Sequence, residues 1–374
     1  MQNTSRKSLH KLIRGDNLQI VHDYRALHAI AELDRELPKT VAYVQRQLKR
    51  LKCRVVFPAK GAVCAYFDFG RPKTLAFRAD MDALPVQEQT GLPWRSRHSG
   101  IMHACGHDGH TAILLELARK LNSHNNLKHN VLLIFQPAEE TDGGAKDLCR
   151  TGLLSKYHVC AVFGLHLWPG LPKGQLFSKP GLLMSRSCGV KVLFTGRSVH
   201  ISDAIKGSDA LSACCHFLCQ AEKLQLNDPH LLKFGKIFGG TAANVICDRA
   251  ELWGSLRSFS GAVHQSLKNS LQQLCAAQAE RSGCSCDISF TEGYPAVQND
   301  PGLWEAVQKK CAVKEIHSAF WTADDFSFYQ AQVPGIYFLL GIGDSPPLHS
   351  PVFSFDETVL STGADLFFRL CQNL

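Results

Sequence analysis

The sequence predicts an α/β fold, in which a catalytic domain with a mostly parallel sheet is interrupted by a smaller βαββαβ unit. Three observations carry this. Continuous apolar runs at Thr74–Phe77, Val131–Phe135, Val159–Leu165 and Ile336–Leu340 mark strands buried on both faces, and helical stretches lie between them. Polar residues follow closely after each run: Asp80 and Asp82, Glu139 and Glu140, His166, and His349 a short loop further on. Between about residues 183 and 292 the element order changes to strand, helix, strand, strand, helix, strand, the ferredoxin-like arrangement, and runs typical of the first domain resume afterwards.

In chain order, residues 17–52 read as helical, because Ile20, Val21, Tyr24, Leu27, Val41, Val44 and Leu48 recur at helical spacing. Asp34 to Pro38 is expected to break that run, since proline disfavours a helix interior. Val55–Phe57 and Val63–Phe67 form a hairpin-like pair around Pro58 and Gly61. The four buried strands follow, with a helix predicted over the apolar run Ala112–Ala118. Inside the insertion, strands are expected at Val190–Phe194, Leu232–Phe238, Glu251–Phe259 and Cys286–Phe290, with helices at Ser208–Leu224 and His264–Arg281.

Composition narrows the functional class. The 45% hydrophobic content of 374 residues is enough for two domains, and no stretch is apolar for long enough to span a membrane. The polar Met1–Lys7 start has no apolar segment behind it, so a secretory signal is not expected and a cytoplasmic location is. Most of the fifteen cysteines are then expected to be reduced. The net charge of +8 comes without a basic run or an aromatic-interleaved basic stripe, which argues against nucleic-acid binding.

Chemistry concentrates in His103–Thr111, where His103, Cys105, His107 and His110 stand around Asp108. Imidazole and thiolate suit zinc and similar first-row cations. A Cys/His-rich loop that merely caps the following helix, with Asp108 near its N-terminus, is the plainer alternative. In open α/β sheets the ligand site lies at the carboxyl ends of the strands, which would bring Asp80, Asp82, Glu139, Glu140, His166 and His349 to the rim that holds Cys105 and His107. Adjacent glutamates can divide the work, one holding a metal and the other taking a proton from water. Asp82 could orient a ligating imidazole, or cap local backbone, and Asp80 is equally open. His110 reads as a packing residue, and Asp324 and Asp325 as surface acids. In the insertion, His200, Asn244 and Arg257 stand out; an arginine on a sheet face can grip a carboxylate with two hydrogen bonds, though a surface histidine, a turn asparagine and a salt-bridged arginine are ordinary fates.

The segments Arg78–Pro85, Met102–Thr111, Gln136–Glu140, Gly164–Trp168 and Leu348–Pro351, in this order, resemble the metal-dependent amidohydrolases of the aminoacylase and carboxypeptidase group. The likeness is to the branch with hippurate hydrolase, indoleacetyl-amino acid hydrolase and N-acetyl-diaminopimelate deacetylase, and it runs from Arg25 to Glu357. It implies a catalytic domain of the zinc-exopeptidase type over residues 1–182 and 293–374, with 183–292 as an inserted dimerisation or lid domain. It further implies two divalent ions per subunit, Mn, Zn, Co or Ni, held by Cys105, His107, Glu140, His166 and His349, with Cys105 shared between them. Glu139 is then general base and later proton donor to the leaving amine, and Asp82 counts among the catalytic residues as the one that orients a ligating imidazole. His200 would polarise the scissile carbonyl in a neighbouring active site, and Asn244 and Arg257 would hold the substrate's carboxylate.

The implied reaction is hydrolysis of an N-acyl amino acid, a small-molecule substrate, by a homodimer or higher homo-oligomer acting on neither nucleic acid nor membrane. A metal-dependent dipeptidase and a non-catalytic metal-bound scaffold are the alternatives. The chain departs from the family pattern at Ala31, Ala204 and Cys247, where proline is usual, and at Asp324, where glutamate is usual.

Overall fold

The computed structural model describes residues 18–141 and 143–374. The polar Met1–Lys7 start, on which the expectation about a signal rests, lies outside them. The chain divides into two compact units, one of residues up to Leu183 with Val297–Ser318 and Asp324–Leu374, the other of Met184–Ala296 with Ala319–Ala323.

The first unit is built on an eight-stranded sheet. Its centre runs Asn130–Gln136, Thr74–Asp80, Val159–Trp168, Gly335–Gly341, and neighbours in that order are parallel. These are the four apolar runs of the sequence, and apart from a half-buried Cys160 every residue in them is buried. Parallel strands deliver their carboxyl ends to one edge, so Asp80, the Pro137–Glu140 segment and His166 meet there. The hairpin Arg54–Val56 and Val63–Phe67 extends the sheet antiparallel on one side, and Leu176–Ser178 and Lys314–Glu315 complete the other.

The first helical run is broken where proline predicts: helices cover 18–28 and Pro38–Leu48, with Pro38 in the first turn, where its missing N–H costs nothing. Helix His107–Asn122 starts directly from Gly106, which takes a left-handed φ of 87°. That helix packs on Leu360–Asn373 through two glycines. A Cβ on Gly109 would lie 3.2 Å from Leu360 Cδ2, and one on Gly363 would lie 2.7 Å from Ile113 Cδ1.

The second unit is a four-stranded antiparallel sheet in the order Ser285–Phe290, Arg186–Thr195, Arg249–Ser258, His230–Gly239. Helices Ala210–Ala221 and Gly261–Ser282 cover it, capped by Asp209 and Ser260, and its core gathers Phe194, Phe217, Leu256 and Leu267. This unit also takes in Ala319–Ala323, which sequence alone leaves with the other domain. The reason is local: Ser185 donates its N–H toward Phe320 O and Thr322 O, and Trp321 stacks on Phe259 at 4.3 Å. A disulfide joins Cys275 to Cys286, whereas the other cysteines are free. Among the described residues, no helix is long and apolar enough to cross a membrane.

Candidate metal centre

The candidate donors come from four separated segments of the first unit, and two of the imidazoles, His107 and His166, are aimed by a hydrogen bond at the far ring nitrogen. His107 opens its helix and donates from Nδ1 to the carbonyl of Asp82 at 2.8 Å. Its Nε2 is buried without a hydrogen bond, 3.8 Å from Glu140 Oε1 and 3.8 Å from Asp80 Oδ2; burial opposes its charge, but these carboxylates with Asp82 outweigh burial and raise His107 to about 10. His166 donates from Nδ1 to Leu167 O at 2.7 Å and turns Nε2 to Cys105 Sγ at 3.4 Å. His349 is held by its N–H to Ala104 O at 2.8 Å, in a left-handed φ of 66°, with Nε2 3.3 Å from Glu140 Oε1. Left-handed backbone at a non-glycine residue costs about 1–3 kcal/mol and gathers at functional sites.

Within the described residues, ligand atoms of Cys105, His107 and His166 lie within 4.8 Å of one another; so do those of Cys105, Glu140 and His349, and of His107, Glu139 and Glu140. Cys105, Glu140 and His107 each belong to two of these groups, so the groups form one continuous cluster. Burial, together with the Glu140 and Glu139 carboxylates, pushes the Cys105 thiol well above its usual range. A thiol, imidazole lone pairs and converging carboxylates crowded together in this way fit divalent metal ions, whose charge would offset the carboxylates and favour the thiolate. The His107 Nε2, buried among carboxylates without a hydrogen bond, is the most direct sign of that fit.

Asp82 does more than the imidazole-orienting role suggested by sequence. It fixes His107 through its backbone carbonyl, while its carboxylate accepts the N–H of Glu139 at 2.9 Å and of Glu140 at 3.0 Å. Ala138, just before them, has a left-handed φ of 58°. Burial and the neighbouring Asp324 and Glu140 carboxylates raise the Glu139 carboxyl well above its ordinary range. Burial would raise Glu140 too, but His349 and His107 hold it below. Two adjacent glutamates thus have opposite proton affinities.

Asp324 and Asp325 are not surface acids. Both are buried, and they close a network around Arg78, itself wholly buried in a central strand. Arg78 donates to Asp325 Oδ1 at 2.6 Å and to Asp80 Oδ2 at 2.5 Å, and lies 3.4 Å from Asp324 Oδ1. The missed signal was Arg78: a guanidinium inside an apolar strand needs anionic partners, and the only question is which. Asp324, Asp325 and Glu139 also bring carboxylate oxygens within 4.8 Å of one another.

Asp80 belongs to this structural network. It accepts from His110 Nδ1 at 2.6 Å, and His110 Nε2 accepts the Leu167 N–H at 2.9 Å. Both ring nitrogens of His110 are therefore engaged, and it is a packing residue as expected. His103 is buried without a hydrogen bond on either nitrogen, and burial, with the nearby cations, lowers it to about 4, so it is neutral. His28, unremarked in the sequence, lies between Asp108 Oδ2 at 2.7 Å and Glu88 Oε1 at 3.3 Å.

In the second unit, His200 and Asn244 are exposed, and their loops meet, with an isolated bridge between His200 and Val245 and Ile201 donating its N–H to Asn244 O at 3.0 Å. The ring of His200 is held through Nδ1 by Ser202 Oγ at 2.8 Å. Arg257 is partly buried and spends one N–H on Trp321 O at 2.7 Å.

Comparison with known proteins gives matches in both sequence and fold. The model of Peptidase family M20/M25/M40 matches residues 76–373. The chain is 34% identical over 345 residues to N-acetyldiaminopimelate deacetylase of Shouchella clausii, covering 87% of this chain and 90% of that protein. A Bacillus subtilis structure described as a dinuclear metal-binding peptidase from the M20 family superposes with a TM-score of 0.83 at 29% identity, over 96% of this chain and 98% of that one. The aminobenzoyl-glutamate utilization protein of Klebsiella pneumoniae shares the fold, with a TM-score of 0.75 at 21% identity and 97% coverage of both chains.

Proposed function

The chain belongs to Peptidase family M20/M25/M40, and from that premise we propose that it hydrolyses the amide bond of N-acyl amino acids, releasing a carboxylic acid and a free amino acid. The Nε2 of His107, buried without a hydrogen bond among a thiol, two further imidazoles and Glu140, is the observation that carries the metal-dependent part of this reading. The likeness to a deacetylase that acts on an N-acetylated amino acid supports the substrate class.

Cys105, His107, Glu140, His166 and His349 hold two divalent ions, of Mn, Zn, Co or Ni. When bound, such ions polarise the scissile carbonyl and acidify the attacking water. Glu139 takes the water's proton as the oxygen adds to the carbonyl carbon. It then hands that proton to the amine nitrogen as the C–N bond breaks. Its raised proton affinity suits the second transfer. Asp82 keeps Glu139 and Glu140 in their separate tasks by holding both backbones.

His200 acts on the carbonyl oxygen of a neighbouring subunit's substrate, and Asn244 and Arg257 receive the amino acid's carboxylate; these roles rest on the family resemblance. A homodimer is supported by the second unit's edge strand His230–Gly239, which leaves Leu231, Ile237 and Phe238 exposed beside unpaired backbone. The mostly free thiols support a cytoplasmic location.

The test is hydrolysis of a panel of N-acyl amino acids and dipeptides by metal-stripped protein given Mn²⁺, Zn²⁺ or Co²⁺ singly, with Glu139→Gln as control. Metal-restored cleavage of N-acyl amino acids, reduced about 10²–10⁴-fold in the variant, is expected. Turnover confined to dipeptides with a free amino end would move the protein to dipeptidase chemistry. Two ions per chain with no turnover would leave a metal-bound scaffold.

A further inference from the structure

On the first unit lies a cleft of about 880 Å³, walled by helices 18–28 and Pro38–Leu48 and by the 93–97 loop. Its surface is mainly apolar, with Val21, Ala29, Ile30 and Trp94 among the residues that line it. Among the described residues its charged lining has one sign only: Arg25, Lys39, Arg46, Arg95 and Arg97 all line it, and no aspartate or glutamate does. Arg25 is already committed, paired with Glu357 and laid over the Trp94 ring at 3.9 Å. Arg46, Arg95 and Arg97 are exposed and form no ion pair with a carboxylate of the described residues.

Uncompensated guanidinium groups of like charge around an apolar hollow repel one another, and an anion relieves that repulsion. We propose that this cleft binds a small anionic amphiphile, an alkyl carboxylate whose chain lies on the apolar lining and whose carboxylate is held by Arg46, Arg95 and Arg97. The volume lies in the range of small-molecule sites. None of these cleft residues belongs to the metal cluster or to the groups that hold it, so occupancy here is separate from the hydrolytic reaction.

The probe is dodecanoate, titrated below its micelle concentration into the metal-loaded full chain and followed by calorimetry. Dodecyltrimethylammonium and acetate serve as controls for charge and for chain length. One dodecanoate per chain is expected, at least about tenfold tighter than either control. In the double variant Arg46→Glu/Arg97→Glu the affinity falls at least tenfold, while amide hydrolysis and melting temperature hold. A photoactivatable dodecanoate analogue should label peptides within 18–46 or 93–97. Absence of binding up to ~1 mM overturns the proposal, as does unchanged affinity in the double variant or labelling around Cys105. Binding of an acidic amphipathic peptide in place of dodecanoate would also overturn it, and would assign the cleft to a protein partner.

Discussion

The carboxylate of Asp82 accepts the backbone N–H of Glu139 at 2.9 Å, and its second oxygen does the same for Glu140 at 3.0 Å. A single side chain on one strand end thus sets the orientation of two glutamates on the next. Asp82→Ala leaves both N–H groups buried without this acceptor and frees the pair to rotate. We expect about 10–100-fold weaker metal affinity and a comparable or larger fall in kcat, with Asp82→Asn intermediate, because an amide offers one acceptor oxygen instead of two. Metal titration and steady-state kinetics on the three proteins check this; equal metal affinity in all three would remove Asp82 from the positioning role.

Gly144 lies behind the same segment. A Cβ there would sit 1.9 Å from the carbonyl oxygen of Pro137, a clash with backbone that no side-chain rotation relieves. Gly144→Ala must therefore displace the Pro137–Glu140 turn. Activity should fall by about 10²-fold, as for misplacement of about an ångström at a reacting group, with a loss of stability of about 1–3 kcal/mol. Wild-type kcat in the variant would show that the turn can move without consequence.

Arg78 holds Asp80, Asp324 and Asp325 together beneath the site. Replacing it with methionine keeps the volume and abandons three buried carboxylates. A loss of about 3–5 kcal/mol follows, lowering Tm by roughly 6–20 °C at the size of this unit. Calorimetry settles it: a Tm within about two degrees of wild type, the scatter expected of surface substitutions, would mean the acids are neutral in the native state.

Stability should also fall at alkaline pH. Burial works against a charged His28, yet the hydrogen bonds and charges of Asp108 and Glu88 prevail and raise it from 6.5 to about 9. A raised basic group stabilises the fold fully below its unfolded value and loses that contribution as pH rises through the folded one. The window is therefore pH 6.5 to about 9, and the loss about 3 kcal/mol. The lowering of Glu88 to about 2 expresses part of the same interaction and is not added to it. Denaturant titrations at pH 6 and pH 9.5 should show this slope in wild type and a flatter one in His28→Gln; parallel slopes would dissociate His28 from the effect.

The central strands were legible because a strand buried on both faces has no polar side to blur its pattern, and the rim donors were legible because each follows such a strand closely. Asp324 and Asp325 were misjudged for a physical reason: two adjacent acids in a loop look solvated unless their counter-ion is known, and Arg78 is 246 and 247 residues away along the chain. His28 escaped notice for the same kind of reason, since its partners Glu88 and Asp108 are 60 and 80 residues distant. Asp82 was found but its work was undervalued, because backbone N–H acceptance by a side chain leaves no trace in residue type.

The residues proposed to hold the ions are spread from Cys105 to His349, on segments that meet only when the central sheet is complete. An incompletely folded chain therefore has no high-affinity site, and ion binding free energy is drawn upon only at the last stage of assembly. Ion occupancy becomes a gauge of the native population of the first unit. Any substitution that loosens a central strand, however far from the donors, lowers the apparent ion affinity in proportion to the native fraction it removes.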